Sequence, residues 1–290
     1  MSDFKKILVI GGTGFIGEYL VRNLIQRSDL ELSLIYNGDL KEEKISNINY
    51  YNVDLLNDFS ENTIKLINES DCIVSLATPI PNFIKRLTLS ISSSGPKKIV
   101  YTSTMLVYPD SDFNHSEVDP VNPETEYEKN KVEEEKILTI FSKNSDTKVC
   151  IARLGNVYGD IKNHGLVNYI MLALKNNETF TVNGDGNHRR DYVFVQDIAN
   201  LLEFLIFNNQ ESNLEIYNIC TGQNHTINDV INITEKVVGK KINKRYGNSI
   251  QEKINVFGEN KKIINESNYK FEYNLVDGLK RTYNNYLTKE

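Results

Sequence analysis

The 290-residue chain has only three cysteines, Cys72, Cys150 and Cys220, and no CxxC pair. Each lies in or at the edge of an apolar run: "CIVSLA", "KVCIARL" or "IYNIC". The pattern argues against a thiolate metal cluster and reads as three buried, reduced thiols. The four histidines, His115, His164, His188 and His225, show no metal-ligand spacing, so no metal site is expected. Long hydrophobic runs are missing as well. "ILVI" near the start is too short for the core of a secretion signal, and nothing approaches the ~18 apolar residues of a membrane span. A soluble, cytoplasmic protein with no membrane partner is expected. Positive charge is not in excess: 33 Lys and Arg against 39 Asp and Glu give a net charge of −6, which argues against a basic nucleic-acid-binding surface.

What is present is an alternation. Short apolar runs at 6–10, 31–36, 47–53, 72–77, 97–103 and 148–154 read as strands. Helical patterns at 14–27, 60–69, 82–93 and 126–142 separate most of them. Strands that alternate with helices build βαβ units, and near-continuous apolar strands suit a sheet covered on both faces. The expected fold is α/β, a Rossmann-type doubly wound parallel sheet with a smaller C-terminal lobe. Beyond 155 the rhythm loosens: helices at 165–177, 196–207, 226–238 and 274–287, a turn and short strand at 184–195, and a strand at 214–220. The expected division is a dinucleotide-binding domain at 1–155, its sheet and helices also receiving segments from about 184–220. Residues 156–290 would be mainly a substrate-binding lobe over the carboxyl ends of the strands, where open α/β sheets bind ligands.

"KILVIGGTGFIGEYLVRNLI" places Gly11, Gly14 and Gly17 directly after a strand and at the opening of a helix. The first permits a tight turn, the second a close approach of backbone to pyrophosphate, the third close packing of helix on strand. This predicts a bound dinucleotide. The second strand ends "LIYNGD", with Tyr36 where an acid that bonds the ribose of NAD is usual, Asn37 next and Asp39 later. No arginine stands near to receive a 2′-phosphate, so NAD and NADP both stay open. Asp54, after the third strand, suits either an adenine amino group or the capping of a helix.

Tyr127 and Lys131, four apart on a predicted helix, share one face. A phenol with a pKa near ~10 needs help to act as a base near neutrality, and a nearby ammonium gives it. Ser103 and Thr104, at a strand end 24 and 23 residues upstream, offer a hydroxyl to steady a substrate oxygen. The spacing alone is weak, because 16 tyrosines make about one chance match expected. Tyr158 and Lys162 are such a match, but they follow a strand directly and lack the upstream hydroxyl strand end. Around the first pair, Glu133 to Glu135 and Lys136 read as a charged helix face with no catalytic role.

"GGTGFIG", "YTSTMLVYP", "YEKNK", "RLGNVYG" and "GDGNHRRDYVFVQDIA" occur in this order between residues 6 and about 235. The chain resembles the extended short-chain dehydrogenase/reductase family, in its NAD-dependent epimerase/dehydratase branch. The resemblance implies a Rossmann fold, NAD or NADP as cofactor and a nucleotide-diphosphate sugar as substrate. It implies Tyr127, Lys131 and Thr104 as catalytic. It draws Thr13, Phe15, Ile16, Leu55, Leu76, Ala77, Thr78 and Thr102 into the cofactor site beside Gly11, Gly14, Gly17, Tyr36, Asn37, Asp54, Tyr127 and Lys131. It assigns Ser103, Thr104, Asn156 and Arg190 to the substrate, the last two through its phosphates. For Arg190 the alternative is a solvated surface arginine. Family members often dimerise through the tyrosine-bearing helix, so a homodimer is expected.

The chain departs from the family in three places. Met105 and Leu106 stand where 4,6-dehydratases of the family carry an acid and a base. The segment 78–97 is shorter than usual, with room for little beyond one helix, and Asn82 does not register with the family's usual asparagine. Tyr36 replaces the ribose-binding acid. The expected activity is hydride transfer at a sugar carbon, by a 4-ketosugar reductase or a C4-epimerase, with a lean to a reductase using dissociable cofactor. The alternatives are a reductase of another small carbonyl compound and a non-catalytic NAD(P)-binding regulatory protein.

Overall fold

A computed structural model describes residues 4–38, 40, 44–248 and 253–288. Asp39, noted after the second strand, lies outside the described residues. Contacts divide the chain into two compact units. The first comprises Met1–Val107, Pro123–Arg153 and Ala199–Tyr217; the second comprises Tyr108–Asn122, Leu154–Ile198 and Asn218–Glu290. The units therefore interleave instead of meeting at one boundary near 155.

The first unit is built on a seven-stranded sheet. Its strands are β1 (Lys6–Ile10), β2 (Glu31–Tyr36), β3 (Ile48–Asn52), β4 (Cys72–Ser75), β5 (Lys98–Thr104), β6 (Lys148–Leu154) and β10 (Leu214–Ile219), in the spatial order β10-β6-β5-β4-β1-β2-β3. The pairings of β1 with β2 and β4, of β2 with β3 and of β4 with β5 are parallel. Val149 N bonds Asn213 O and Gly155 N bonds Ile219 O, so β6 and β10 also run together. The order reverses direction between β1 and β4, the switch point at which such sheets open a crevice. All seven residues of β5 are buried, as a strand covered on both faces requires, whereas the edge strand β3 is half open. Helices α1 (Phe15–Leu24), α2 (Glu61–Glu69), α3 (Phe83–Ser90) and α4 (Glu126–Lys143) match four of the expected helical patterns. The short 78–97 segment holds one eight-residue helix, entered through Asn82 in a left-handed conformation, φ 57°.

Two buried charged groups lock this unit. Lys98 opens the interior strand β5 and gives its ammonium to the carbonyls of Leu205 (2.8 Å) and Asn208 (3.0 Å), at the C-terminal end of α6 (Val195–Phe207), where a helix presents negative partial charge. Arg153, near the end of β6, forks onto Glu135 of α4 through two bonds, Nε at 3.1 Å and Nη2 at 2.7 Å.

The second unit holds β9 (Arg189–Phe194), which pairs with β7 (Asn156–Tyr158), β11 (Asn224–Thr226) and β13 (Asn255–Val256). The stretch 184–194 thus does not join the seven-stranded sheet as expected; β10 and the later part of α6 do. β9 is "RRDYVF", a buried strand that needs neighbours on both sides, and β7, β11 and β13 supply them. The remaining elements are β8 (Phe180–Val182), β12 (Lys244–Tyr246), α5 (Leu166–Asn176), α7 (Ile227–Val238), α8 (Lys261–Ser267) and α9 (Leu275–Thr288). Strands of two or three residues are too short to show a period of two, which is why β7, β8, β11, β12 and β13 were not legible. All three cysteines are buried free thiols. Among the described residues no helix is long and apolar enough to cross a membrane.

Because both side chains of the Arg153–Glu135 pair are buried, removing one partner strands the other charge. Glu135→Ala is expected to cost about 3–5 kcal/mol of unfolding free energy in a denaturant titration, and replacing both residues with apolar ones of similar volume is expected to recover most of it.

Candidate functional site

The glycine turn sits at the carboxyl end of β1. Gly11 has φ +82°, and a side chain there would press on the Leu76–Ala77 backbone at 3.3 Å. Gly17 is tighter: its Cβ would lie 2.4 Å from Gly11 O and 2.6 Å from Gly12 Cα, so only glycine lets α1 start this close to β1. Gly14 is the N-cap and has no side chain to bond the first turn. The N–H groups of Phe15 and Ile16 have no acceptor within the helix, and the dipole adds positive charge there. The cradle fits a dinucleotide pyrophosphate held by the Thr13–Gly17 backbone.

Around it lie the ends of the neighbouring strands. Leu76, Ala77 and Thr78 follow β4, and Leu76 N bonds Ile10 O at 2.9 Å. Tyr36 ends β2 half-buried, its ring edge-on to Tyr50 at 6.5 Å, and Asn37 is exposed. Asp54 spends its carboxylate on its own loop, accepting from Leu56 N (2.9 Å) and Asn57 Nδ2 (2.8 Å). It caps no helix; Ser60 caps α2. Leu55 is buried and its carbonyl accepts from the Arg86 guanidinium, which ties α3 to this loop.

The end of β5 and the start of α4 carry the hydroxyl groups. A capping box starts α4: Thr125 Oγ1 accepts from Glu128 N (3.3 Å) while the Glu128 carboxylate receives Thr125 N (3.4 Å) and Glu124 N (2.7 Å). This fixes the first turn, where Tyr127 stands 43% exposed. The Thr104 hydroxyl accepts from Leu106 N at 3.2 Å and lies near the Tyr127 phenol. Desolvation pushes the Tyr127 phenol up, the nearby Thr104 hydroxyl opposes this, and Glu134 and Glu128 add to the upward push. Ser103 Oγ is buried and has no partner among the described residues. Thr102 gives its hydroxyl to Ser75 O at 3.1 Å.

Lys131, one turn further along α4, is buried. Its ammonium donates to Thr102 O at 2.8 Å and reaches Ala77 O at 3.5 Å, with Glu134 Oε2 at 3.8 Å and the Tyr101 ring at 4.6 Å. Burial lowers its pKa to about 8 against the pull of Glu134 and Glu135. The contact that favours the Tyr127 phenolate therefore comes from Thr104, while Lys131 turns its charge to the strand ends. The reading of Glu133 to Glu135 as one charged face needs correction. Glu133 and Lys136 are exposed, but Glu134 and Glu135 are buried, one accepting from the Tyr101 phenol at 2.5 Å and the other holding Arg153. The i, i+3 spacing from Lys131 to Glu134 was visible in the sequence. Tyr101 and Arg153 were not, because they come from other strands.

The second unit holds the remaining candidates. Asn156 is half-buried on β7, in register with Tyr192 of β9. Arg190 is buried, so it is no surface arginine; it donates to the carbonyls of Ile254 (2.9 Å) and Lys253 (2.6 Å). Asp191 accepts from Thr221 and Gly222, and Asp197 from Tyr269 and Glu272. The rival tyrosine, Tyr158, is 1% exposed and packs on Phe194, and burial pushes its phenol far up.

The sequence profile of the NAD dependent epimerase/dehydratase family matches residues 7–220. The chain belongs to this family. Among its curated relatives is UDP-glucuronic acid decarboxylase 1 of Xenopus tropicalis, 29% identical over 266 residues; the match covers 82% of this chain and only 61% of that protein. Another is a putative UDP-glucose 4-epimerase of Methanocaldococcus jannaschii, 25% identical over 96% of this chain and 97% of that protein. The fold matches the crystal structure of UDP-glucuronic acid 4-epimerase from Bacillus cereus, solved with UDP-glucuronic acid and NAD, at a TM-score of 0.88 and 22% identity, over 97% of this chain and 98% of that one. The Rossmann fold expected from the sequence is thus the one present.

Lys131 also sets a pH dependence. Its folded-state pKa, about 8, lies below the unfolded value near ~10.4, so between them the unfolded chain holds more protons and stability rises with pH. The unfolding free energy of the wild type minus that of Lys131→Met is expected to grow across this window by about 1.4 kcal/mol per pH unit at most.

Proposed function

We propose that this protein is an NAD(P)-dependent enzyme acting on a nucleotide-diphosphate sugar at a carbinol or keto carbon of the ring, as a 4-ketosugar reductase or a C4-epimerase. The observation that carries the reading is the exposed Tyr127 phenol near the Thr104 hydroxyl, with Lys131 fixed on the Thr102 carbonyl and the glycine cradle at the end of β1, two strands from β5. Relatives named as 4-epimerases of UDP-sugars support the substrate class.

In this reading Tyr127 exchanges the proton of the sugar hydroxyl and Thr104 bonds the same oxygen. Lys131 keeps its cation at the ends of β4 and β5 and bonds the cofactor ribose. When bound, the nicotinamide supplies the hydride acceptor or donor. Gly11, Thr13, Gly14, Phe15, Ile16 and Gly17 hold its pyrophosphate; Tyr36, Asn37, Asp54 and Leu55 lie on the adenosine side, and Leu76, Ala77, Thr78 and Thr102 on the nicotinamide side. Asn156 and Arg190 are assigned to the substrate phosphates on the resemblance alone, since the Arg190 guanidinium donates to backbone carbonyls. Met105 and Leu106 carry no proton-transferring group, so water elimination of the 4,6-dehydratase type is not part of the proposal. NAD is favoured over NADP by the family description, and a homodimer through α4 by the resemblance.

Tyr127→Phe is expected to lower kcat by at least about 100-fold while NADH affinity, read by fluorescence titration, changes less than about twofold. Full activity in that variant would sink the assignment. Gly17→Ala has the opposite signature. The added Cβ displaces the turn, and NADH affinity is expected to fall at least about tenfold, or ~1.4 kcal/mol.

A further inference from the structure

Glu134 sits where the family motifs place no function, yet it is among the most constrained groups of the first unit. It follows Lys131 by three residues, on the same face of α4, and its side chain is 10% exposed. One carboxylate oxygen, Oε2, receives the Tyr101 phenol at 2.5 Å and stands 3.8 Å from the Lys131 ammonium. Tyr101 contributes twice, because its ring also lies 4.6 Å from that ammonium. Phenol, carboxylate and ammonium therefore form a closed triangle bridging β5 and α4. Glu134 also lines a recess of about 200 Å³ with Pro79, Asn82, Lys85, Asn130 and Glu133.

The triangle resolves a conflict. A buried ammonium is costly, and burial drives Lys131 towards neutrality. Its two carbonyl partners, Thr102 and Ala77, are dipoles that carry no countercharge. Of the carboxylates nearby, Glu135 is held by Arg153, Glu133 is exposed, and Glu128 is spent on the helix cap. Tyr127 and Tyr101 are neutral phenols raised by burial, and Lys85 on the recess is a cation. Glu134 alone among these offers Lys131 a charge not otherwise committed to a cation or a cap. Burial leaves its own pKa raised, and Lys131 and the Tyr101 bond oppose that shift without cancelling it.

We propose that Glu134, pinned by the Tyr101 phenol, is a positioning residue for Lys131: its carboxylate keeps the buried lysine cationic at neutral pH and directs it to the Thr102 carbonyl. The proposal rests on the reading of Lys131 as the lysine of the site, but its test needs no substrate. The lysines are labelled biosynthetically with ¹³C and ¹⁵N and the Lys131 side-chain signal is assigned by its loss in Lys131→Arg; its titration is then followed by NMR in the wild type, Glu134→Gln and Glu134→Asp. The wild-type signal is expected to titrate near pH 8, the Gln variant at least about one unit lower, a tenfold loss of proton affinity, and the Asp variant between them. Should Glu134→Gln fail to fold, the wild type carries the test: its Lys131 signal must show a second inflection as Glu134 titrates at acid pH. An unchanged Lys131 titration in a folded Gln variant, or no acid inflection in the wild type, overturns the proposal. A Gln variant that loses only melting temperature shows a structural role and overturns it too. Absence of turnover with every sugar, with the lysine shift present, would instead count against the enzymatic assignment.

Discussion

One buried contact sets the geometry of the first unit: the Lys131 ammonium on the Thr102 carbonyl, 2.8 Å across the gap between α4 and the end of β5. A lysine taken out of water must find donors' partners on every side, and here the ends of β4 and β5 provide them through Ala77 and Thr102. That requirement fixes how far along α4 the helix can slide and how it can turn about its axis. Tyr127, one turn earlier, is then held at the mouth with its hydroxyl beside Thr104. The cap formed by Thr125 and Glu128 locks the same turn from the other end.

The sheet supplies the second constraint. Its order reverses between β1 and β4, so the glycine turn and the Leu76–Thr78 segment open next to one another. Gly17 lets α1 come within touching distance of that turn, and the N–H groups of the first helical turn have no acceptor within the helix. The hydroxyl groups at the end of β5 and the glycine cradle at the end of β1 thus lie on the same edge of one sheet, with β4 between them. Side chains held on such elements need little reorganisation to meet a ligand.

Much of this was legible in the sequence because it depends on local spacing. The strand–GxxGxxG–helix run, the strand end "TST" and the Tyr127–Lys131 pair each carry their meaning within a few residues. Tyr158 and Lys162 share the same spacing, yet Tyr158 proves to be core; the element that precedes each tyrosine was the better guide. The misreadings were all non-local. Glu134 and Glu135 look solvated in a run of charge, and only Tyr101 and Arg153, from other strands, make them internal. β9 looked like part of the main sheet until β7, β11 and β13 supplied its partners. Arg190 is buried by backbone that arrives some sixty residues later, at Lys253 and Ile254.

The central claim is hydride transfer at a ring carbon of a nucleotide-linked sugar, with Tyr127 and Thr104 handling the oxygen. The most direct measurement is isotope tracing with the purified protein, NAD(H) and a panel of UDP- and dTDP-hexoses deuterated at C4, read by mass spectrometry and NMR. The expected result is deuterium on the nicotinamide, for a reductase run in reverse, or a C4-inverted sugar that retains its label, for an epimerase. Sugars recovered unchanged across the panel, with no label on a cofactor shown to be bound, would contradict it.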